Sequence, residues 1–336
     1  MLLIAGLMLP LAACGAADEA APGKAEGKVI AVTLFPAYDF ARHIAGDRAS
    51  VRLIVPPGAE AHSYEPTPQD MRLLSSCMLI IANGGEGEAW LDSISGGLDG
   101  DVEILRMLEC VTAYEEELRE GMQSGGILSR AEGGHAHAHG GAEEHAHEGA
   151  HEDEDTHESG MEYDEHVWTS PVNAERLCRA ICERLCALDP DGAEVYTANC
   201  AAYSAELLRL DAEFRRVCEG AARRTVIFAD RFPVRYFVEE YGLEYYAAFP
   251  GCADDAEPSA KTVAFLIDKV RAEDVPAVFY IEFSNQKMAD IISEETGCKT
   301  RLFHSCHNVT ADELASGVGY LELMENNLAN LKEALY

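Results

Sequence analysis

DPDGAEVYTANCAAYSAELLRLDAEFRRVCEG, residues 189–220, is the segment from which the architecture of this chain follows. Its apolar side chains are separated alternately by four and three residues, which is the spacing of one continuous helix face. They are Tyr196, Cys200, Tyr203, Leu207, Leu210, Phe214 and Val217. At 1.5 Å per residue, a helix of about 30 residues would be roughly 45 Å long, enough to run across two domains. A coiled-coil dimer is the alternative, although three heptads is a short run for one.

On both sides of this segment, short apolar stretches alternate with helical ones. The predicted strands cover residues 29–34, 51–55, 78–82, 225–228, 278–281 and 301–303. Nearly continuous hydrophobic strands that alternate with helices indicate parallel sheets covered on both faces. We therefore expect an α/β fold of two lobes, each with a parallel sheet flanked by helices, joined by one long rigid helix. The expected boundaries are 28–172 for the first lobe, 173–222 for the linking helices and 223–336 for the second lobe.

The N-terminus resembles a bacterial lipoprotein signal. The apolar run from Leu2 to Ala13 is too short to span a bilayer, and it fits the hydrophobic part of a secretory signal. Leu11-Ala12-Ala13-Cys14 resembles a lipobox, in which cleavage precedes Cys14 and its thiol carries the lipid. The absence of Lys or Arg before the run departs from that pattern. Residues 1–27 are predicted to be a signal and tether, and the mature protein to be extracytoplasmic and lipid-anchored.

Composition excludes one class of partner and leaves the role of the cysteines open. The formal net charge is −33, which argues against nucleic acid because its phosphates require a basic surface. Of the eleven cysteines, Cys178, Cys182 and Cys186 recur every four residues on a predicted helix. Disulfide geometry is hard to satisfy at that spacing on one helix. We interpret these three as buried core thiols, with metal ligation as the alternative.

The segment of residues 131–165 has the most unusual composition. It holds seven of the twelve histidines and twelve Asp or Glu, with no Lys or Arg. Such a segment cannot bury a core, so we expect it to be disordered. Imidazole and carboxylate groups bind divalent transition metals, which predicts a metal-capturing loop. Its histidines are His135, His137, His139, His145, His147, His151 and His157.

Three of the remaining histidines follow predicted strands or lie in loops. His62 lies in GAEAHSYEPTPQD, which begins at Gly58, and His166 lies in DEHVWTSP, which begins at Asp164. His304 lies in LFHSCHN, directly after the last predicted strand. Ligands of α/β lobes gather at the carboxyl ends of strands, so these residues are candidates for one shared site.

These motifs resemble the solute-binding lipoproteins of zinc and manganese ABC importers, over almost the whole mature chain. The resemblance implies His62 and His166 as metal ligands. The chain departs from the family pattern at the other two ligand positions, where His304 would be a third ligand and Asp230 or a water would complete the site. The His/acid-rich loop before the second ligand and the long helix between the lobes are also family traits.

The resemblance further implies that Glu282 orients a ligand imidazole without binding the metal itself. His307 competes with His304 as a ligand. Imidazoles favour Zn²⁺ and carboxylates favour Mn²⁺, so zinc is the expected metal and manganese stays open. The implied function is to bind one Zn²⁺ between the lobes, as a monomer, and deliver it to an ABC permease with its ATPase.

Two readings from other functional classes compete with this one. A catalytic zinc ion is also typically held by three histidines with one coordination position left open, although no HExxH motif is present here. A zinc hydrolase would then need Asp230 or Glu282 as general base. The other rival is an adhesin or metal-buffering surface protein that works without a transporter.

Overall fold

The computed structural model describes residues 27–59, 64–98, 102–124, 162–253 and 257–336. These residues form two parallel sheets of four strands each, with helices packed against them. The two lobes are linked by helices that include one of 28 residues. The expected α/β architecture is therefore confirmed.

The first lobe is built on a sheet with the strand order β2-β1-β3-β4. Its elements are β1 (Val29–Val32), α1 (Phe35–Ala45), β2 (Ser50–Leu53), α2 (Pro68–Leu74), β3 (Leu79–Ala82), α3 (Ala89–Ser95) and β4 (Ile104–Arg106). Helix α2 begins as its sequence predicts, because Thr67 and Asp70 form a capping box in front of Pro68. The central strands β1 and β3 are largely buried, and their parallel pairing brings their carboxyl ends to the same edge of the sheet.

Two helices connect the lobes. Helix α4 covers Pro171–Leu188, and α5 covers Ala193–Gly220 after a 3-10 turn at Pro190–Gly192. The apolar seam of α5 is between 0% and 6% exposed and packs within this chain, on α1 and on the closing helix. The seam is thus explained by intramolecular packing. The long helix begins at Ala193, three residues later than Asp189-Pro190 suggested, because the proline opens a separate 3-10 turn.

The second lobe repeats the arrangement, with the strand order β6-β5-β7-β8. Its elements are β5 (Thr225–Phe232), α6 (Arg235–Tyr241), β6 (Glu244–Pro250), α7 (Ala260–Glu273), β7 (Ala277–Tyr280), α8 (Lys287–Thr296), β8 (Lys299–Leu302), α9 (Ala311–Ser316) and α10 (Tyr320–Leu335). Among the described helices, none combines the length and the apolar character needed to cross a membrane.

A segment that follows β4 runs from the first lobe onto the second. The backbone N–H of Gln123 donates to the carbonyl of Ala248 in β6, and the hydroxyl of Tyr236 accepts from the N–H of Tyr114. The chain then returns near the cleft, where the N–H of Asp164 donates to the carbonyl of Tyr114. Residues 162–165, expected to be part of a disordered loop, are therefore ordered by these bonds.

Candidate metal centre

His166 is held in one orientation by the carboxylate two residues before it. Its Nδ1 lies 3.1 Å from Oδ1 of Asp164, and its backbone N–H donates to the same oxygen at 2.8 Å. An ionised carboxylate only accepts, so the proton of the ring is on Nδ1 and the lone pair of Nε2 is available. This carboxylate–histidine pairing is the arrangement found behind metal-binding imidazoles. His166 is 2% exposed, so its ring is fixed by packing as well.

His307 approaches the His166 ring from the second lobe. The two ring centroids are 5.4 Å apart with planes at 79°, and both rings pack on Trp168. The indole N–H of Trp168 donates to the carbonyl of Ser305 at 2.8 Å, which ties the turn that carries His307 to the first lobe. The structure thus brings together two histidines that are 141 positions apart.

These rings face a small cavity between the lobes, with a volume of about 40 Å³. That volume holds a single ion with at most a few water molecules. Residues of both lobes line it, among them Ala59, His166, Glu282, Ser305, His307 and Asn308. The side-chain amide of Asn308 donates to the carbonyls of Pro56 and Ala59 at 3.0 and 2.8 Å, which closes one wall.

His62 lies outside the described residues, in the stretch 60–63 that begins directly after Ala59. Across the ranges the structure describes, no group of three or more His, Cys, Asp or Glu is placed to hold a metal ion. The seven histidines from His135 to His157 and the lipidation candidate Cys14 also lie outside the described residues.

His304 is held by hydrogen bonds within its own turn and to the closing helix. Its Nδ1 accepts the backbone N–H of Cys306 at 2.9 Å, which places the proton of a neutral ring on Nε2. Nε2 is buried and has no hydrogen-bond partner among the described residues. The side-chain amide of Asn327 accepts the backbone N–H of His304 and donates to its carbonyl. His304 is therefore fixed in the second-lobe core.

Glu282 supports the turn that presents His307. Its carboxylate accepts the backbone N–H of Ser305 at 2.7 Å and also the hydroxyl of the same serine. The hydroxyl oxygen of Ser305 in turn accepts the backbone N–H of His307 at 3.2 Å. Between them, Cys306 has a φ of 61°, a left-handed conformation that costs energy for a residue with a Cβ. Through these bonds Glu282 acts on the position of His307.

Asp230 does not line the small cavity, although Arg231 and Ile281, which bond to its carboxylate, do. Its carboxylate accepts the backbone N–H of Arg231 at 2.8 Å and that of Ile281 at 3.4 Å, and burial raises the pKa of Asp230. It lines a separate cavity of about 450 Å³ within the second lobe, together with Phe283 and Met288. Arg231, the next residue, lines both cavities. The structure does not bring Asp230 together with His166 and His307, so its role as a ligand stays a prediction.

Three carboxylates around His166, of which Asp164 and Glu165 are buried and Glu116 is partly buried, were not identified from the sequence. Asp164 is 1% exposed, Glu165 is 8% exposed and its carboxylate accepts the N–H of Gly87, and Glu116 accepts the N–H of Cys252. Burial and the charge of Asp164 raise the pKa of Glu116 to about 7. The D-x-H spacing was a signal for Asp164, whereas nothing distinguished Glu116 from a solvated acidic run.

The local charge favours a cation. Burial opposes the protonation of His166, but its hydrogen bond to Asp164 and the charges of Asp164 and Glu116 outweigh burial and raise the pKa of His166. The same negative potential attracts a metal ion, which replaces the proton on the imidazole. The arrangement can therefore bind a divalent cation.

The chain has two lobes, each with a parallel sheet, which are joined by one long helix and enclose an ion-sized cavity. This arrangement defines a two-lobed solute-binding receptor. Residues 30–334 match the family model described as ZnuA, zinc-uptake complex component A periplasmic. The match spans most of the chain, so the chain belongs to this family.

Curated relatives carry zinc in their names. The chain is 28% identical over 343 residues to the high-affinity zinc uptake system protein ZnuA of Bacillus subtilis, with 100% of this chain and 97% of that protein covered. It is 30% identical over 311 residues to the zinc-binding lipoprotein AdcA of Streptococcus pneumoniae, with 92% of this chain and 56% of AdcA covered. The chain therefore spans little more than half of AdcA.

Solved structures show the same fold. The metal-dependent lipoprotein YcdH of Bacillus subtilis superposes with a TM-score of 0.71 at 25% identity, covering 92% of this chain and 100% of YcdH. The Zn(II)-bound ZnuA-like domain of Streptococcus pneumoniae AdcA gives a TM-score of 0.69 at 26% identity, covering 92% and 99%.

Proposed function

We propose that this protein is the extracytoplasmic receptor of an ABC importer, which binds one Zn²⁺ between its lobes and delivers it to the permease and its ATPase. The observation that supports this most is the Asp164–His166 pair, which holds an available imidazole nitrogen at the cavity beside His307. The zinc-related names of the relatives support the identity of the cargo.

We propose His62, His166 and His307 as the ligands, with water or a carboxylate in the fourth position. Zn²⁺ accepts nitrogen and oxygen ligands in a tetrahedron, so three imidazoles and one oxygen suit it. His304 and Asp230 were predicted as ligands from their places in the sequence. The hydrogen bonds of His304 and the separate cavity of Asp230 favour His307 instead.

The competing functions find less support. Manganese prefers carboxylates, whereas the two rings that meet at the cavity are imidazoles. A hydrolase needs a general base that faces the ion, and the carboxylate of Glu282 is engaged by the backbone and hydroxyl of Ser305. A surface adhesin or metal buffer would bind the ion without a permease, which the names of the zinc-uptake relatives do not favour.

Two further parts of the proposal concern regions outside the described residues. Lipidation at Cys14 would keep the monomeric receptor at the membrane next to its permease. The histidines of 131–165 would collect weakly held ions near the cleft, because the described end of that segment, Glu162 to Glu165, leads directly to His166. Deletion of residues 131–159 should then remove weak sites and leave the tight site intact.

Zinc titration of single-residue variants, in competition with a chromophoric chelator, tests the ligand set. We expect His166→Ala and His307→Ala to weaken zinc binding by more than about 100-fold, beyond the 10–100-fold typical for a residue that only supports a ligand. His304→Ala should bind zinc as the unaltered protein does. His43→Ala is the matched control, because His43 lies on α1 and bonds to the carbonyl of Asp39.

The result that would reject this site is tight binding by the His166 variant. Loss of binding in the His304 variant, with binding retained in the His307 variant, would instead restore the ligand set predicted from sequence. Thermal unfolding of each variant, measured beside the titration, separates loss of a ligand from loss of the fold.

A further inference from the structure

A glycine-rich turn of residues 83–88, with the sequence NGGEGE, directly follows β3. Asn83 is buried, and its backbone carbonyl accepts the N–H of Leu108 at 2.9 Å, which fastens the turn to the residues after β4. At the other end, the buried carboxylate of Glu88 accepts the N–H of Gly84 at 2.8 Å. This glycine turn is therefore fixed at both ends, and none of its residues belongs to the proposed ligand set.

The glycine turn holds Glu165, the residue directly before the proposed ligand His166. The backbone N–H of Gly87 donates to Oε1 of Glu165 at 2.8 Å. The side-chain amide of Asn83 donates to the backbone carbonyl of Glu165, also at 2.8 Å. Glu165 is buried, so little of it contacts water. One turn thus fixes both the side chain and the backbone of this residue.

Gly85 is the point of closest approach between the turn and Glu165. Its φ of 93° lies in the region that favours glycine. A Cβ at this position would lie 2.5 Å from Oε1, 2.7 Å from Cδ and 2.9 Å from Cγ of Glu165, well inside the separation at which non-bonded atoms attract. The carboxyl group therefore fits against the turn because position 85 carries no side chain. Backbone N–H groups in such a turn form a concavity suited to an anion.

A contact from the second lobe holds the residue on the other side of Glu165. The hydroxyl of Tyr236 in α6 donates to the backbone carbonyl of Asp164 at 2.7 Å. Asp164 in turn orients the ring of His166 through Oδ1. The two residues before His166 are thus held from different lobes, and a displacement of Glu165 would be passed on to the His166 ring through a single peptide unit.

We propose that Glu165 is a positioning residue of the metal centre. Its carboxyl group, seated in the glycine turn, sets the place of the His166 imidazole at the cavity. This inference rests on the proposed function, because it takes His166 to be a metal ligand. Oε1 of Glu165 is engaged by Gly87, so its contribution to metal affinity comes through the ligand that follows it in the chain.

Zinc titration of Glu165 variants, in competition with a chromophoric chelator, tests the proposal. We expect Glu165→Ala to weaken zinc binding by about 10–100-fold, as is typical for a residue that supports a ligand. Glu165→Gln should stay closer to the unaltered protein than to Glu165→Ala, because the amide has the same length and its oxygen accepts the N–H of Gly87. Glu86→Ala is the matched control, since Glu86 is the exposed carboxylate of the same turn.

Gly85→Ala tests the same contact from the side of the turn. The added methyl group displaces the carboxyl group of Glu165, so zinc affinity should fall although every proposed ligand is retained. Gly96→Ala is the control, since a Cβ there meets no atom within 4 Å. The visible absorption of bound Co²⁺ depends on the arrangement of its ligands. It should change in Gly85→Ala and Glu165→Ala, and stay as in the unaltered protein in Gly96→Ala.

Three results would overturn the positioning role and leave the proposed function in place. One is unchanged zinc affinity in Glu165→Ala. Another is an equal loss in Glu165→Gln and Glu165→Ala, which would show that the charge acts and not the seat in the turn. The third is weaker binding with unchanged Co²⁺ absorption, as expected if Glu165 only stabilises its lobe. Failure of the unaltered protein to bind zinc would instead reject the proposed function, and the positioning role with it.

Discussion

At the scale of single residues, one oxygen sets the geometry of the proposed zinc ligand. Oδ1 of Asp164 accepts both the backbone N–H and the ring Nδ1 of His166, so it orients the backbone and the imidazole together. Trp168 packs on the same ring with centroids 5.6 Å apart. The ring is thus placed before any ion arrives, and little ordering cost remains for binding.

Replacement of Asp164 by Asn should separate this orienting role from simple packing. The amide keeps the size of the carboxylate but removes its charge and half of its accepting capacity, so the tautomer of His166 is no longer fixed. We expect zinc affinity to fall about 10–100-fold, measured by chelator competition. Asp92→Asn is the control, because Asp92 is 63% exposed and only pairs with Arg106 at the surface. Equal affinities of the two variants would contradict the role given to Asp164.

Sequence reasoning gave His166 and His304 as ligands with His307 as the alternative, and we propose the reverse order for the last two. His166 could be predicted from the sequence because the D-x-H spacing is a local motif. The choice between His304 and His307 depends on a non-periodic turn, in which Cys306 takes a φ of 61° and directs successive side chains differently. Neither propensity nor spacing encodes such a turn, so the sequence alone could not show that His307 lines the cavity.

At the scale of elements, the regularity of the apolar spacing determined how well each helix or strand was predicted. The seam of α5 persists over six intervals, and its residues are all buried in this structure. Strand β4 has only three residues, and β6 begins with an exposed glutamate after Leu243, so neither produced a clear alternation. A long amphipathic helix can be predicted from its repeated apolar spacing. The stability of a short strand depends on the partner strands that pair with it, which its own sequence does not show.

The seam of α5 should carry much of the stability of the link between the lobes. Leu210 is fully buried in it, whereas Leu208, two residues earlier on the same helix, is 49% exposed. Leu210→Ala should lower the free energy of unfolding by about 2–5 kcal/mol, because it removes buried methyl groups and leaves a cavity. Leu208→Ala should change it by no more than about 0.5 kcal/mol. Urea denaturation of both variants checks this, and similar losses would contradict the assigned seam.

At the scale of the whole molecule, the net charge of −33 makes the placement of each basic residue important. One site uses two of them to join distant parts of the chain. The side chain of Asp189, at the turn between α4 and α5, is 2.6 Å from Nζ of Lys28, 2.9 Å from the guanidinium of Arg48 and 2.7 Å from the hydroxyl of Tyr196. This carboxylate connects the start of the first sheet to the helical hairpin.

The Asp189 junction should make stability depend on pH in a defined direction. The hydrogen bond from Lys28, together with Tyr196 and Arg48, holds the pKa of Asp189 well below its usual range. A carboxyl group with a lowered folded-state pKa contributes stability above its unfolded pKa, near 4, and loses that contribution as the pH falls through the folded value.

Asp189→Asn should therefore cost about 2 kcal/mol of unfolding free energy at pH 7, as expected for hydrogen bonds to charged groups. The difference from the unaltered protein should shrink progressively as the pH falls below about 4, because the wild-type carboxyl is then increasingly neutral as well. Asp274→Asn serves as the control, since Asp274 is 91% exposed in its pair with Arg223 and should matter little at either pH. Urea denaturation across this pH range measures the effect. A difference that stays constant from neutral to acid would show that Asp189 acts through its shape rather than its charge.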